Sequence, residues 1–248
     1  MCVVSKWVSF KQYCELVDCG SFCNVSMYHD PVWLEVVREG FNVEIKVMST
    51  VRRDGKLLAL TPYMVITKGP FHLYGSPLKG MYTEFSGPIY IMDISDDERF
   101  QILESQHQML LRNAHYLEFG EKNGEGTLSG NALSQLGYEH TLRASILIEI
   151  SIGKDNVWNN FQGRARNMIR KSIKSGVTAH SVTPTRRWVQ NYYSMLSVTF
   201  KKQGRSMPHP LSFYQQLICL AEAGYVLCVS AEIDGRNISN AIFLIDKD

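Results

Sequence analysis

Residues 31–66, PVWLEVVREGFNVEIKVMSTVRRDGKLLALTPYMVI, contain the pattern that decides the fold. Pro31 is typical of the first turn of a helix, and Gly40 lies where we expect that helix to end. Two apolar runs follow and are joined by Asp54-Gly55, a strong short-range signal for a β-hairpin. The stretch therefore predicts a helix followed by a two-stranded antiparallel unit.

The same order of elements returns at residues 211–245, LSFYQQLICLAEAGYVLCVSAEIDGRNISNAIFLI, about 180 residues further on. This repetition indicates two copies of one supersecondary unit. More predicted elements follow the first copy, whereas the second copy is followed only by the last residues of the chain. We expect an α+β protein with domains at 1–150 and 151–248, the second one incomplete through truncation.

Several other segments have the periodicity or the caps of regular structure. Helices are predicted at 10–17, 95–113, 129–136 and 185–202, strands at 115–119 and 142–151, and a polar loop at 121–126. The strand at 142–151 has the continuous apolar character of a strand that is buried on both faces.

The segment 158–177, WNNFQGRARNMIRKSIKSGV, separates into two faces when it is drawn as a helix. Its basic side chains lie on one face, and its apolar side chains lie opposite. The basic face contains Arg164, Arg166, Arg170, Lys171 and Lys174. We expect one amphipathic helix that packs on a core and ends near Gly176.

Acidic residues are missing from a much longer stretch around this helix. Residues 156–221 contain ten Lys and Arg but no Asp or Glu, a formal charge of +10, while the whole chain is +2. The remainder must carry −8. Such asymmetry favours an anionic partner such as a phosphate, a nucleotide or RNA, although a solvated helix face is the simpler alternative.

Composition excludes several classes of protein. Hydrophobic residues make up 45% and charged residues 20% of the 248, as is ordinary for a globular protein. No apolar run is long enough to cross a bilayer, and the first residues lack the apolar centre of a signal peptide. Cys14, Cys19 and Cys23 lack a paired Cys-x-x-Cys or His pair, so no metal site is predicted. We expect a cytoplasmic protein.

A stretch rich in glycine and proline, residues 69–91, follows the first hairpin. Its glycines allow close approach of the backbone, and its polar side chains favour a substrate cleft over a quiet surface loop. The candidate substrate-binding residues are Tyr74, Ser76, Lys79, Tyr82 and Thr83. No phosphate-binding glycine fingerprint is present.

Four segments together resemble FemAB-like acyltransferases and occur in the same order as in that family. They are YHDPVWLEVV, YGSPLKGMYTEFSGP, WNNFQGRARNMIRKSIKSGV and HPLSFYQQL. The resemblance covers nearly the whole chain. It implies two tandem GNAT-like (N-acetyltransferase-like) domains with mixed sheets, and transfer of an acyl or aminoacyl group to an amine acceptor of a cell-wall, peptidoglycan or exopolysaccharide precursor.

The resemblance also implies partners. The acyl donor is expected to be aminoacyl-tRNA or another activated acyl group, and the acceptor a phosphate-bearing, nucleotide-linked precursor. Arg166, Arg170, Lys171 and Lys174 are the candidate phosphate-binding residues, because guanidinium and ammonium groups bind phosphate oxygens. The loop lacks the Q/R-x-x-G-x-G/A pattern of relatives that use coenzyme A, so no cofactor is predicted.

The sequence does not identify a dependable catalytic base. His209 lies between two prolines and is the weak candidate for proton transfer, although an isolated loop histidine is more often a bystander. Two other readings of the chain remain. One is a nucleic-acid-binding module, favoured by the basic segment and by Trp188, Tyr192 and Tyr193 within it. The other is a non-catalytic, truncated remnant.

Overall fold

The computed structural model describes residues 3–20, 22–91, 94–120, 130–141 and 143–246. The elements of the first part are β1 (Val3–Val8), α1 (Phe10–Cys19), β2 (Phe22–Cys23), α2 (Pro31–Phe41), β3 (Glu44–Arg52), β4 (Leu57–Lys68), β5 (Phe71–Ser76), β6 (Ile89–Ile91), α3 (Asp96–Leu110), β7 (Tyr116–Phe119) and α4 (Gly130–Gln135). Those of the second part are α5 (Lys154–Asn160), α6 (Gly163–Lys174), β8 (Thr178–Val182), α7 (Arg186–Lys202), α8 (Leu211–Glu222), β9 (Val226–Ile233) and β10 (Arg236–Leu244).

The first sheet is mixed, with the strand order β1-β3-β4-β5-β7. Its pairs are antiparallel except β5 with β7, which run parallel because α3 connects them. Short strand β6 pairs with the first half of β4 and also with β2. This mixture of strand directions, together with helices beside the sheet, confirms the predicted α+β class.

Pro62 explains why two different strands share one edge of β4. It lies in the middle of β4 and has no N–H to donate to a neighbouring strand. The Ser76 hydroxyl donates to the Pro62 carbonyl over 2.6 Å and accepts from the Gly87 N–H over 3.0 Å. The chain therefore leaves the sheet after β5 and returns as β6, and residues 77–88 form a loop at this gap.

The second sheet is antiparallel in the order β10-β9-β8. Val226 and Cys228 on β9 point to one face and are buried together with apolar residues of α7 and α8. Leu227 and Phe243 form a pair on the opposite face, where they are 40% and 54% exposed. Only one face of this sheet is thus covered by the residues that the structure describes.

Helices α2 and α8, one from each copy of the repeat, pack against each other. A Cβ on Gly40 would lie 2.7 Å from the Phe213 Cα, so only glycine allows this approach. The Ser212 hydroxyl donates to the Gly40 carbonyl over 2.6 Å, and the Tyr225 hydroxyl donates to the Asp30 carboxylate. The largest hydrophobic cluster consequently contains residues from both sides of position 150.

The repeat and its turns are confirmed. Both copies consist of a helix followed by two antiparallel strands, and Gly55 and Gly235 have the positive φ values, 87° and 69°, of tight turns. Gly40 is a different case, since α2 continues to Phe41 and ends at Asn42 in the left-handed conformation. Its role is helix packing rather than termination. The domain boundary at 150 stays a prediction.

The strand predicted at 142–151 is wrong for the part that the structure describes. Residues 143–150 form no strand, and Ile146 and Leu147 are 94% and 91% exposed. The segment is apolar, but no described element covers Ile146 and Leu147, and an apolar run is buried only where a neighbour covers it. Residue 142 and the loop predicted at 121–126 lie outside the described residues.

The prediction of a single basic helix at 158–177 that packs on a core is also wrong in two respects. Phe161 and Gln162 have extended backbone angles, which divide it into α5 and α6. Neither helix contains a buried residue, so the amphipathic helix is not packed on a core. Its end is as predicted, with Gly176 at φ 79°. Within the described ranges, no helix has the length and apolarity to cross a bilayer.

Candidate functional site

Two of the predicted cleft residues hold the loop at 77–88 in place. Ser76 is fully buried, and its hydroxyl is hydrogen-bonded to the backbone of Pro62 and Gly87. Thr83 is also buried, and its hydroxyl accepts from the Trp33 indole N–H over 3.1 Å and donates to a backbone carbonyl. Both hydroxyls are thereby occupied by the protein itself.

Tyr74 and Lys79 lie in different surroundings. The Tyr74 ring is buried in the first sheet, with its centroid 6.1 Å from that of Trp7 in a stacked arrangement. Lys79 is exposed, and its backbone N–H donates to the Glu118 carboxylate over 2.8 Å. The structure therefore does not bring these two side chains together.

Tyr82, by contrast, reaches the second half of the chain. It has the left-handed φ of 54°, and its ring is 36% exposed. The ring centroid lies 5.0 Å from the His209 imidazole and 5.1 Å from the Phe213 ring. A residue of the predicted cleft and the weak candidate base thus lie in contact where the two copies of the repeat meet.

His209 is enclosed by aromatic rings. Besides Tyr82, the rings of Phe41, Phe213 and Tyr214 lie 5.7, 5.9 and 6.3 Å from it. Burial lowers the pKa of His209, opposed by the nearby Gly80 carbonyl. Its Nδ1 is buried and has no hydrogen-bond partner among the described residues. A neutral imidazole with a free ring nitrogen is suited to accept a proton from a group that reaches this buried atom.

A group of phenols lies beside this imidazole. Tyr214 is only 2% exposed, and the neighbouring Tyr193 hydroxyl donates to the His209 carbonyl over 3.5 Å. Burial raises the pKa of Tyr214 well above its ordinary value, and the phenols of Tyr192, Tyr82 and Tyr193 raise it further. Burial likewise raises the pKa of Tyr192 to about 12. These hydroxyls remain protonated at neutral pH and are available as donors.

We call these residues the junction site: Tyr82, Tyr192, Tyr193, His209 and Tyr214. The arrangement combines one proton acceptor with several hydrogen-bond donors and aromatic faces, the groups that general base catalysis and stabilisation of an oxyanion require. Tyr214 is not among the site residues predicted from the sequence. The only available signal was its place in the first turns of α8, directly after His209.

The four predicted phosphate-binding residues lie together on α6 but differ in their contacts. Arg166 donates to the Asn159 carbonyl over 2.7 Å and so caps the end of α5. The Arg170 guanidinium lies 5.4 Å from the Trp158 ring. Lys171 and Lys174 are exposed. No Lys or Arg of 156–221 forms an ion pair within the part of the chain that the structure describes.

Helix α6 does not pack against the junction site. No apolar side chain of 143–181 belongs to any hydrophobic cluster of the described residues. Nor does any group of three or more His, Cys, Asp or Glu within the described ranges have the arrangement of a metal site.

Comparison with known proteins gives a fold but no sequence family. No family model and no curated protein matches the chain. Among solved structures, FemX matches with a TM-score of 0.59 and 16% identity, over 93% of this chain and 58% of FemX. The GCN5-related glucosamine N-acetyltransferase region of a fungal multi-domain GH3 β-N-acetylglucosaminidase matches at TM-score 0.42 and 10% identity, over 96% of this chain and 27% of that protein.

At 16% identity the likeness to FemX concerns the fold alone. The chain spans 58% of the length of FemX. Over 93% of this chain, the overall arrangement of helices and strands is therefore similar to that of a solved protein. This chain has an α+β fold similar to that of FemX.

Proposed function

We propose that the protein is a FemAB-like acyltransferase or aminoacyltransferase that acts on an amine acceptor of a cell-wall or envelope polysaccharide precursor. The observation that carries the proposal is the junction site, where His209 Nδ1, free of any protein partner, lies among phenols at the meeting point of the two repeat copies. The FemX-like fold and the sequence resemblance support the same class of reaction.

The chemistry requires the acceptor amine in its neutral, nucleophilic form and a donor ester held nearby. The amine nitrogen forms an amide bond to the acyl carbon, and the ester bond from that carbon to the donor oxygen breaks. His209 Nδ1 accepts the proton that the amine nitrogen loses as the amide bond forms, and donates it to the departing oxygen. The hydroxyls of Tyr82 and Tyr214 donate hydrogen bonds to the oxyanion of the tetrahedral intermediate.

The basic segment supplies the binding of phosphate. Aminoacyl-tRNA and a nucleotide-linked precursor both present phosphate oxygens, for which exposed Lys and Arg side chains without ion pairs are suitable partners. Of the candidates, Lys171 and Lys174 are the most available, because Arg166 and Arg170 already contact α5. Ser76, Lys79 and Thr83 belong to the proposed substrate cleft only as parts that shape the loop carrying Tyr82, whereas Tyr74 is buried in the first sheet.

We expect the double variant Lys171→Ala/Lys174→Ala to bind a UDP-linked cell-wall peptide precursor or charged tRNA at least about tenfold more weakly, because each hydrogen bond to a charged group contributes about 1.5–3 kcal/mol. The dissociation constant is measured by isothermal titration calorimetry at fixed salt. The control is Lys201→Ala/Lys202→Ala at the end of α7, which removes the same charge and should change affinity little.

Unchanged affinity in the folded double variant would contradict the phosphate-binding assignment. The same experiment tests the second candidate function, generic nucleic-acid binding. The ten Lys and Arg residues of 156–221, which form no ion pairs within the described residues, favour that function. Equal affinity for uncharged generic RNA and for charged tRNA, with a steep dependence on salt and no binding of the precursor, would identify that function instead.

A further inference from the structure

Large apolar side chains are exposed at several positions on and before helices α5 and α6. In the irregular segment before α5, Ile146, Leu147 and Ile150 are 94%, 91% and 76% exposed. On α6, Met168 and Ile173 are 60% and 65% exposed. None of these residues belongs to a hydrophobic cluster of the described chain. Soluble surfaces rarely leave so many apolar residues uncovered within one short stretch of chain unless something binds there.

The same region is strongly basic. Residues 143–177 contain seven Lys and Arg against two acids, Glu149 and Asp155. On α6 the basic residues form one face and the apolar residues form the other, and the helix has no acidic residue. Trp158 on α5 adds an aromatic ring next to Arg170. Both kinds of side chain are presented on the surface at once.

We propose that α5 and α6 bind the surface of an anionic lipid bilayer, with Met168 and Ile173 inserted at the level of the headgroups and the bases of α6 against lipid phosphates. A basic amphipathic helix with bulky apolar side chains lies in the plane of such an interface. Charge complementarity favours this occupant, because RNA would satisfy the bases but leave the apolar face in water, and the core of a protein interface is depleted in charged residues.

The inference is independent of the transferase proposal. Both use bases of α6, but only membrane binding needs the exposed apolar side chains. Substitution of those side chains therefore separates the two proposals. Because Met168 and Ile173 belong to no cluster, their replacement should leave the fold intact.

The experiment is co-sedimentation of the full chain with vesicles of phosphatidylcholine alone and of phosphatidylcholine mixed with phosphatidylglycerol. We expect binding to the mixed vesicles, weak binding to the neutral ones, and loss of about fivefold in affinity for each base removed from α6. The double variant Met168→Ser/Ile173→Ser should bind the mixed vesicles at least about tenfold more weakly. The control Val198→Ser removes an apolar side chain that is 50% exposed on α7 and should bind as the wild type does.

Three results would overturn the proposal. The first is no binding to anionic vesicles. The second is unchanged binding by the Met168→Ser/Ile173→Ser variant, which would mean that charge alone attracts the protein. The third is a dimer in light scattering that the same double variant converts to a monomer, which would assign the apolar face to a second copy of the chain.

Discussion

Substitution of Phe213 by alanine is expected to lower the free energy of unfolding by about 4 kcal/mol, within the range for removing a buried phenylalanine ring. Phe213 is fully buried in the largest cluster. Its ring lies 4.6 Å from that of Phe41 and 6.4 Å from that of Trp33, both on α2. A cavity at this point removes the contact between the two repeat copies, and chemical denaturation measures the loss.

The matched control is Phe243→Ala, since Phe243 is 54% exposed on β10. It should cost less than about 1 kcal/mol, as most surface substitutions do. Similar losses for the two variants would contradict the packing described for α2 and α8. Because the Phe213 ring also supports Tyr82 and His209, Phe213→Ala should in addition weaken whatever binds the junction site.

Acid is expected to destabilise the protein through His29. This side chain is 1% exposed, and burial lowers the pKa of His29 to about 4, although hydrogen bonding at Gly87 and Ser26 and the charge of Asp246 act in the opposite direction. Its Nδ1 accepts from the Ser26 N–H, and its Nε2–H donates to the Gly87 carbonyl over 3.3 Å. The neutral imidazole thus fixes the base of the loop that carries Tyr82.

The direction in which stability changes with pH follows from proton binding. Between the folded pKa near 4 and the unfolded pKa near 6.5, the unfolded chain binds a proton that the folded chain does not, so stability falls as the pH falls. We expect His29 to lower the free energy of unfolding by about 2 kcal/mol from pH 7 to pH 5, and by about 3 kcal/mol at pH 4. Urea denaturation at these pH values measures the slope.

The variant His29→Gln isolates this contribution from those of the other histidines. It is expected to be less stable at pH 7, because it alters the contacts with Ser26 and Gly87, but to lose less stability on acidification than the wild type does. An equal pH dependence in the two proteins would show that His29 does not carry the effect.

The sequence was most informative where local chemistry determines the backbone. Pro31 occupies the first turn of α2, Ser95 precedes the first turn of α3 as its N-cap, and Gly55 and Gly235 form the turns of two hairpins. Each of these features depends on residues a few positions apart. The repeat was visible for the same reason, because its helix, turn and strands are local units.

Features that depend on distant partners could not be predicted. β5 and β6 are separate strands because Pro62, in the middle of β4, has no N–H for a neighbouring strand. The hydrogen bond from Ser76 to Pro62 cannot be read from the sequence of either segment alone. The run at 143–150 looks like a buried strand by composition, yet burial depends on a neighbour that the described chain does not supply. Similarly, Gly40 looked like a helix end, although its role is set by Phe213.

The candidate site was predicted in part. The contact of Tyr82 with His209 joins two segments that were proposed separately, and only the fold could bring them together. Ser76 and Thr83 were recognised as polar groups of the loop, but their hydroxyls bind the protein. Tyr214 was missed because a tyrosine in an apolar helix has the pattern of an ordinary core residue.

The most direct test of the proposed activity is transfer of an aminoacyl group from charged tRNA to a UDP-linked cell-wall peptide precursor, followed by mass spectrometry, for the wild type and for His209→Gln. The control is His180→Gln, a partly exposed histidine on β8. We expect product with the wild type and with His180→Gln, and a rate about 100-fold lower with His209→Gln at unchanged precursor affinity. No product with the wild type, or an unchanged rate in folded His209→Gln, would contradict the assignment of the junction site as the catalytic centre.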